Sequence, residues 1–309
     1  MIKSLLSRLS NQQSMIPKID CVICVAGKDN LIVRTCIKLI IKNINPENIF
    51  IITKPQYRIF YYGLQKKYPI EIIDEDNLLP NLSYVNLDKL IKNRIGKPLR
   101  TGWYFQQFLK MGFGLSHYAK NYYLIWDADT LPTSKLSFFE NGHPVFTRKT
   151  EFHKPYFVTM KKLLNLGKNV PFSFIAENML IDVNIMKELI HEISNCQVKG
   201  DNWFEKIINA IGPEEDVAFS EFETYGTYVT NKYPLEYRIR ELRTLRDGGA
   251  KYGRFISRKE IKGLQDKFDT VSLEPGSKPK LVKRLIQFPA KLFLYIANYS
   301  LDKPKRGCA

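Results

Sequence analysis

The sequence predicts an α/β protein: a mixed, mostly parallel sheet with helices on both faces, followed by an amphipathic C-terminal helix. Three observations carry this expectation. Strand-like and helix-like segments alternate through the first third of the chain, the strands are mostly apolar, and a central strand stops abruptly at two carboxylates. Alternation of strand and helix is the signature of βαβ units, and strands covered on both faces read as continuous apolar runs.

The elements follow in order. Residues 19–26 read as a first strand, closed by Gly27-Lys28-Asp29-Asn30. Leu31, Ile32, Cys36, Leu39 and Ile40 then recur at helical spacing to about Lys42. Asn45-Pro46-Glu47 is a turn, 48–53 a second strand, 57–65 a short helix and 69–73 a third strand. An acid-rich loop at 74–81 leads to a helix near 87–95. In the next helix, starting near Arg100, Thr101 is the expected N-cap, and Tyr104, Phe108 and Met111 share one face. That helix feeds the apolar run Tyr122-Tyr123-Leu124-Ile125-Trp126, which breaks off at Asp127-Ala128-Asp129-Thr130-Leu131-Pro132. In open α/β sheets ligands gather beyond the carboxyl ends of strands, so this pair stands where such a fold binds. The alternative is an acidic turn that merely solvates the strand end.

The second half predicts a strand at 144–147, a helix at 155–166 and a mainly apolar stretch at 172–181 with Glu177 and Asn178 set in it. Helices are expected at 183–194 and 203–211. A further one should start at Gly212-Pro213-Glu214-Glu215-Asp216, with proline and acids as the helix dipole prefers, and run through Gly226. Residues 232–262 hold ten Lys/Arg against four acids, with Asp247-Gly248-Gly249 as a flexible turn. From Leu281 onward, Leu285, Phe288, Leu292, Ile296 and Tyr299 fall at spacings of three and four, a basic amphipathic helix kinked at Pro289.

The 309 residues suffice for a large core, and 44% hydrophobic with 25% charged residues excludes disordered and fibrous classes. The net charge of +16 points to a polyanionic partner. It is polarised: residues 278–309 carry eight basic residues and one acid. Five cysteines without framework spacing indicate a reducing compartment. Cys21 and Cys24 form a C-x-x-C inside a strand, where three residues of separation mean opposite faces, so neither a redox nor a zinc role is expected. His117, His143, His153 and His191 lack ligand spacing. A signal-peptide core is not expected, and no run approaches the about 20 apolar residues of a membrane span.

Two carboxylates one residue apart beyond a strand suit Mn²⁺ or Mg²⁺, which takes one or two carboxylates and completes its shell with phosphate oxygens and water. That chemistry fits a nucleotide diphosphate leaving group. Three blocks extend the pattern: Gly102-Trp103-Tyr104-Phe105-Gln106-Gln107-Phe108-Leu109-Lys110, then Tyr123-Leu124-Ile125-Trp126-Asp127-Ala128-Asp129-Thr130, then Ser220-Glu221-Phe222-Glu223-Thr224-Tyr225-Gly226. In this order, over roughly residues 18–265, the chain resembles GT-A-type bacterial glycosyltransferases, in particular a family of uncharacterised proteins with GWxxQQ, DADT and SE[YF]ExYG blocks.

The resemblance implies a GT-A-like (Rossmann-like) catalytic domain at 18–275, with a nucleotide-sugar half (18–132) and an acceptor half (133–275), between a lead-in at 1–17 and a membrane-associating tail at 276–309. It implies transfer of a sugar from a nucleotide-sugar donor to a lipid-linked glycan or polysaccharide, lipopolysaccharide included, by a hexosyltransferase-like enzyme at the inner face of a cell membrane, docked on anionic lipid. Asp127 would hold the ribose or metal and Asp129 the metal. The donor would also meet Gly27, Lys28, Asp29, Trp103, Gln107 and Lys110, and Tyr104 is a second stacking candidate. Arg243, Arg246, Lys251 and Arg254 are further candidates for the diphosphate. An inverting transfer needs a late carboxylate base, for which Glu221 ranks first and Asp216 second. Glu177 would bind acceptor hydroxyls, or act as nucleophile in a retaining enzyme. One departure is that no histidine follows His191, whereas many relatives take a late His as metal ligand. The rival readings are a nucleic-acid-binding protein or nuclease, disfavoured because the basic clusters lie away from the acidic motif, and a non-catalytic membrane-peripheral scaffold.

Overall fold

The computed structural model describes residues 17–95, 100–212 and 215–274, together with 288–290, 292–293 and 296–297. Four parallel strands form most of the central sheet: β1 (Asp20–Cys24), β2 (Ile49–Thr53), β3 (Ile70–Asp74) and β4 (Tyr122–Trp126). A fifth, β8 (Asn178–Asp182), pairs antiparallel with β4, with Trp126 opposite Asn178. The order is β3-β2-β1-β4-β8. The chain therefore winds outward from β1 to β3, then returns to the other side of β1 as β4. The crevice between the carboxyl ends of β1 and β4 is the topological switch point, where such sheets bind ligands.

The strands are apolar because both faces are covered. Val22, Cys24, Tyr123 and Ile125 join one buried cluster, and Cys21, Ile23, Leu124 and Trp126 the other. Cys21 and Cys24 thus lie on opposite faces, as their spacing predicts, and burial pushes both thiols well up. Helix α1 (Ile32–Asn43) covers one face with Ile32, Val33, Cys36, Ile37 and Ile40. The other face is covered chiefly by α4 (Thr101–Gly112), α6 (Val183–Asn195), α7 (Trp203–Ala210) and α8 (Glu221–Lys232). The short helix α2 (Tyr62–Gln65) and α3 (Tyr84–Ile95) fill the crossovers, and α5 (Lys154–Leu164) precedes β8. Almost all of α8 is buried, and Gly226 explains how: a Cβ there would stand 2.3 Å from the Phe174 ring.

Several boundaries differ from the sequence expectation, for physical reasons. Thr101 is the first helical residue, not the cap; its hydroxyl donates to Asp88 at 2.8 Å. The helix expected from residue 212 begins only at Glu221, because the Ser220 hydroxyl accepts from the Glu223 N–H at 3.2 Å and ends the extended approach. Asp216 is therefore an exposed loop residue. Gly248 and Gly249 are not a flexible turn. Both are buried at the start of a one-turn helix, where a Cβ would lie 2.6 Å from the Ser272 carbonyl and 2.5 Å from that of Glu274. Most of the expected C-terminal helix lies outside the described residues; those described are helical and expose Phe288, Leu292, Phe293 and Ile296.

Two small sheets complete the fold. β6 (Phe139–Glu140), β7 (His143–Thr147) and β9 (Arg238–Arg240) form one, and β5 (Thr130–Pro132), β10 (Thr244–Leu245) and β11 (Thr270–Ser272) the other. The second sheet bears on Asp129, because β5 starts at the next residue and the Leu273 N–H donates to the Asp129 carbonyl at 2.9 Å. Asp269 locks this sheet. Its carboxylate accepts from the Arg243 side chain at 2.8 and 3.2 Å, from the Arg243 N–H at 3.0 Å and from Ser134 at 3.0 Å. The Arg243 bond chiefly holds its pKa down to about 2. A depressed carboxylate pKa stabilises the fold above the ordinary carboxylate range and loses that contribution as pH falls toward 2. Asp269→Asn should lower stability by about 1.5–3 kcal/mol at pH 7, and the gap from the parent in thermal unfolding should close between about pH 4 and pH 2.

Candidate active site

A cavity of about 630 Å³ opens at the switch point. β1 delivers Lys28 and Asp29 through a 3₁₀ turn at Gly27–Asp29, and β4 delivers Asp127 and Asp129. Helix α4 contributes Trp103, Gln107 and Lys110, and the start of α8 contributes Ser220 and Glu221. Most of the residues expected at a site are thus brought together from four separate segments.

Lys110 is the centre of the arrangement. Its ammonium is buried, 2.8 Å from Asp127 Oδ1 and 2.8 Å from Glu221 Oε1, and 4.7 Å from the centre of the Phe222 ring. Burial by itself would lower the lysine pKa; the two carboxylates more than reverse this and push it up. Lys110 is therefore a strut between the two halves and not a free cation awaiting phosphate, which corrects the role expected of it. Gln107 fixes the same junction, its Oε1 accepting from the Glu221 N–H at 3.0 Å. Tyr104 is core: its hydroxyl accepts from the Ala218 N–H at 3.2 Å and donates to the Asp216 carbonyl at 3.3 Å. Trp103 lines the cavity and is the ring left for stacking.

Asp129 has a different environment. Burial first, then the negative charges of Asp127 and Asp29, push its pKa up to about 7, against the opposing pull of Arg254. Arg254 itself pairs with Asp29. Excess negative charge around a carboxylate at a cavity wall is what a cation would relieve. Asp127 keeps Oδ2 beyond its bond to Lys110, so the two aspartates offer a pair of oxygen donors. Among the described residues no three His, Cys, Asp or Glu side chains converge as a metal cage. Two carboxylates suit Mn²⁺ or Mg²⁺ whose shell is completed by phosphate oxygens and water.

The other expected residues separate into two groups. Arg246 lines the cavity, held 3.3 Å from Glu177 and paired with Glu151. Glu177 is buried, 3.0 Å from Lys149, and is not part of the cavity wall. Nor are Asp216, Arg243 or Lys251, so none of these three is placed as expected. Arg100, Tyr156 and Glu274 line the cavity without having been anticipated. Arg100 stands two residues ahead of the Gly-Trp pair, a position its motif could have suggested; Tyr156 and Glu274 have no local signal. Burial followed by Glu221 pushes the Tyr156 hydroxyl up to about 12, so it is a hydrogen-bond donor at neutral pH. A side pocket of about 270 Å³ shares Cys24, Ala26, Gly102 and Gln106 with the cavity and adds Tyr57, Tyr84 and Phe105.

A family model described as a family of unknown function (DUF6492) matches residues 37–245. Curated proteins gave no match. Among solved structures, similar ones include the bifunctional glycosyltransferase WbbM in its apo form, at 12% identity and TM-score 0.45, covering 93% of this chain and 52% of that one. This chain therefore spans about half of that protein. The galactosyltransferase LgtC in complex with donor and acceptor sugar analogues matches at 11% identity and TM-score 0.44, covering 93% and 98%. Mouse xyloside xylosyltransferase 1 matches at 10% identity and TM-score 0.40, covering 82% and 97%.

Removing the strut should leave a buried carboxylate, Glu221, and a half-buried one, Asp127, without their shared cation. Lys110→Met is expected to cost about 3–5 kcal/mol in chemical denaturation, with part of the loss recovered in Lys110→Met/Glu221→Gln; a cost below about 1 kcal/mol would contradict the strut.

Proposed function

The chain belongs to the DUF6492 family of unknown function, and from its own site we propose that it is a glycosyltransferase, moving a sugar from a nucleotide-sugar donor to a lipid-linked glycan or polysaccharide acceptor, lipopolysaccharide among them. The observation that carries this reading is the meeting of Asp127, Asp129 and Glu221 in one cavity at the switch point of the sheet. A pair of oxygen donors for a divalent cation beside a separate carboxylate is what departure of a diphosphate and deprotonation of a hydroxyl jointly require.

In this reading Asp127 and Asp129 would hold Mn²⁺ or Mg²⁺, which would offset the negative charge developing on the departing diphosphate. Lys28, Arg100 and Arg246, all on the cavity wall, face the same phosphates. The aromatic side pocket with Tyr57, Tyr84 and Phe105 takes the nucleoside base, beside Gly27, which also lines it. Glu221 has one oxygen on Lys110 and accepts the acceptor hydroxyl proton at the other. The acceptor oxygen then bonds to the anomeric carbon as the bond from that carbon to the diphosphate oxygen breaks, and the diphosphate leaves with the electron pair. Tyr156 donates to acceptor or donor hydroxyls. Glu177, held by Lys149 and Arg246, sets the position of Arg246 and does not act as nucleophile.

The basic tail at 276–309, with exposed Phe288, Leu292, Phe293 and Ile296 among its described residues, supports a place at the anionic inner face of a membrane, where lipid-linked acceptors lie. Among the described residues no helix is long and apolar enough to cross a membrane. Nucleic acid has no part in this reading.

A panel of nucleotide-sugars tests it directly. At least one donor should release nucleoside diphosphate, the release should stop with EDTA, and Mn²⁺ or Mg²⁺ should restore it. No turnover of any donor, together with hydrolysis of DNA or RNA, would favour the nuclease alternative.

A further inference from the structure

Segment 148–170 carries six lysines and arginines against one acid, Glu151, and that acid is paired with Arg246. Its helix, α5, is two-sided. Tyr156, Thr159, Met160 and Leu163 are buried, while Lys154, Val158, Lys161 and Lys162 are exposed. Just ahead of the helix, Phe152 is 61% exposed and stacks on Phe157 with ring centres 5.4 Å apart. The Lys168 ammonium stands 5.3 and 5.8 Å from the two ring centres. Val158 is 47% exposed between the lysines. An exposed phenylalanine and valine set among cations, on a helix whose inner face is fully packed, have no further use inside this fold.

We infer that this face of α5, with Phe152, is a docking surface for an anionic lipid bilayer, separate from the C-terminal tail. The charge selects the partner: Lys154, Lys161 and Lys162, all exposed on this helix, complement an anionic headgroup layer, and the apolar side chains beside them enter the boundary between headgroups and acyl chains. Nucleic acid would match the charge but give nothing to Val158. The same helix sends Tyr156 into the cavity wall, so docking here sets the cavity beside the lipid surface. That purpose rests on the transferase reading; the binding does not.

The full-length protein, its Phe152→Ser/Val158→Ser variant and its Lys154→Glu/Lys161→Glu variant should be compared by co-sedimentation with phosphatidylglycerol-containing and neutral phosphatidylcholine vesicles. The parent should prefer anionic vesicles, and each double variant should bind them at least about fivefold more weakly, the change expected for losing about one surface lysine or its equivalent. A Phe152→Trp variant should also show fluorescence quenched by brominated acyl chains beyond that of the parent. Unchanged binding in both double variants, absence of quenching, or loss of self-association in place of vesicle binding would overturn the inference. So would binding to DNA without binding to vesicles. The vesicle experiment needs no sugar donor, so its outcome is independent of the transferase test.

Discussion

A charged ammonium cannot be kept buried beside the Phe222 ring unless opposite charge comes with it, and at Lys110 two carboxylates do. One follows β4 and the other opens α8, and they are 94 residues apart in the chain. Lys110, on a third element, can satisfy both only if α4, the end of β4 and the start of α8 meet at one point. The packing obeys this demand. Gln107 receives the first N–H of α8, Tyr104 holds the loop before it through Ala218, and Ser220 stops the loop from becoming helix early. Glycine at 226 lets α8 settle against Phe174, so that its first residue arrives at the cavity.

The strut also divides the two aspartates. Asp127 is half engaged by Lys110, whereas Asp129 lies in an excess of negative charge that Arg254 opposes in part. Adjacent carboxylates on one turn thereby acquire different characters, one anchored and one with charge left to be met. Cations supplied from other segments, Lys28, Arg100 and Arg246, stand around the same space. The cavity thus has places for both signs of a metal–diphosphate pair, which is the physical basis of the proposed chemistry.

The sheet was legible because its strands are apolar on both faces, and that pattern depends on no distant partner. That Asp127 and Asp129 stand beyond the carboxyl end of a strand was legible from the apolar run that stops at them; that this strand borders the switch point depends on the strand order, which the alternation does not encode. The start of α8 was harder: Gly212-Pro213 with three acids carries the same cues as a helix N-terminus, while the true signal was the Ser220-x-x-Glu223 spacing eight residues later. Gly248-Gly249 read as freedom because the carbonyls that crowd it, on Ser272 at the end of β11 and on Glu274 just beyond, are more than twenty residues away. Lys110 read as a phosphate ligand for the same kind of reason. Its partner Glu221 is 111 residues distant, and no local pattern encodes a buried ion pair. Tyr156 and Glu274 reach the cavity by tertiary packing alone.

Calorimetric titration of a nucleoside diphosphate into the parent protein and Asp129→Asn, each with and without Mn²⁺, tests the central claim most directly. The parent should bind at least about tenfold more tightly with the metal, a gain of about 1.4 kcal/mol, and the variant should lose that gain while retaining its fold. Equal metal-dependent binding by the variant would contradict the assignment of this strand end as the metal-diphosphate site.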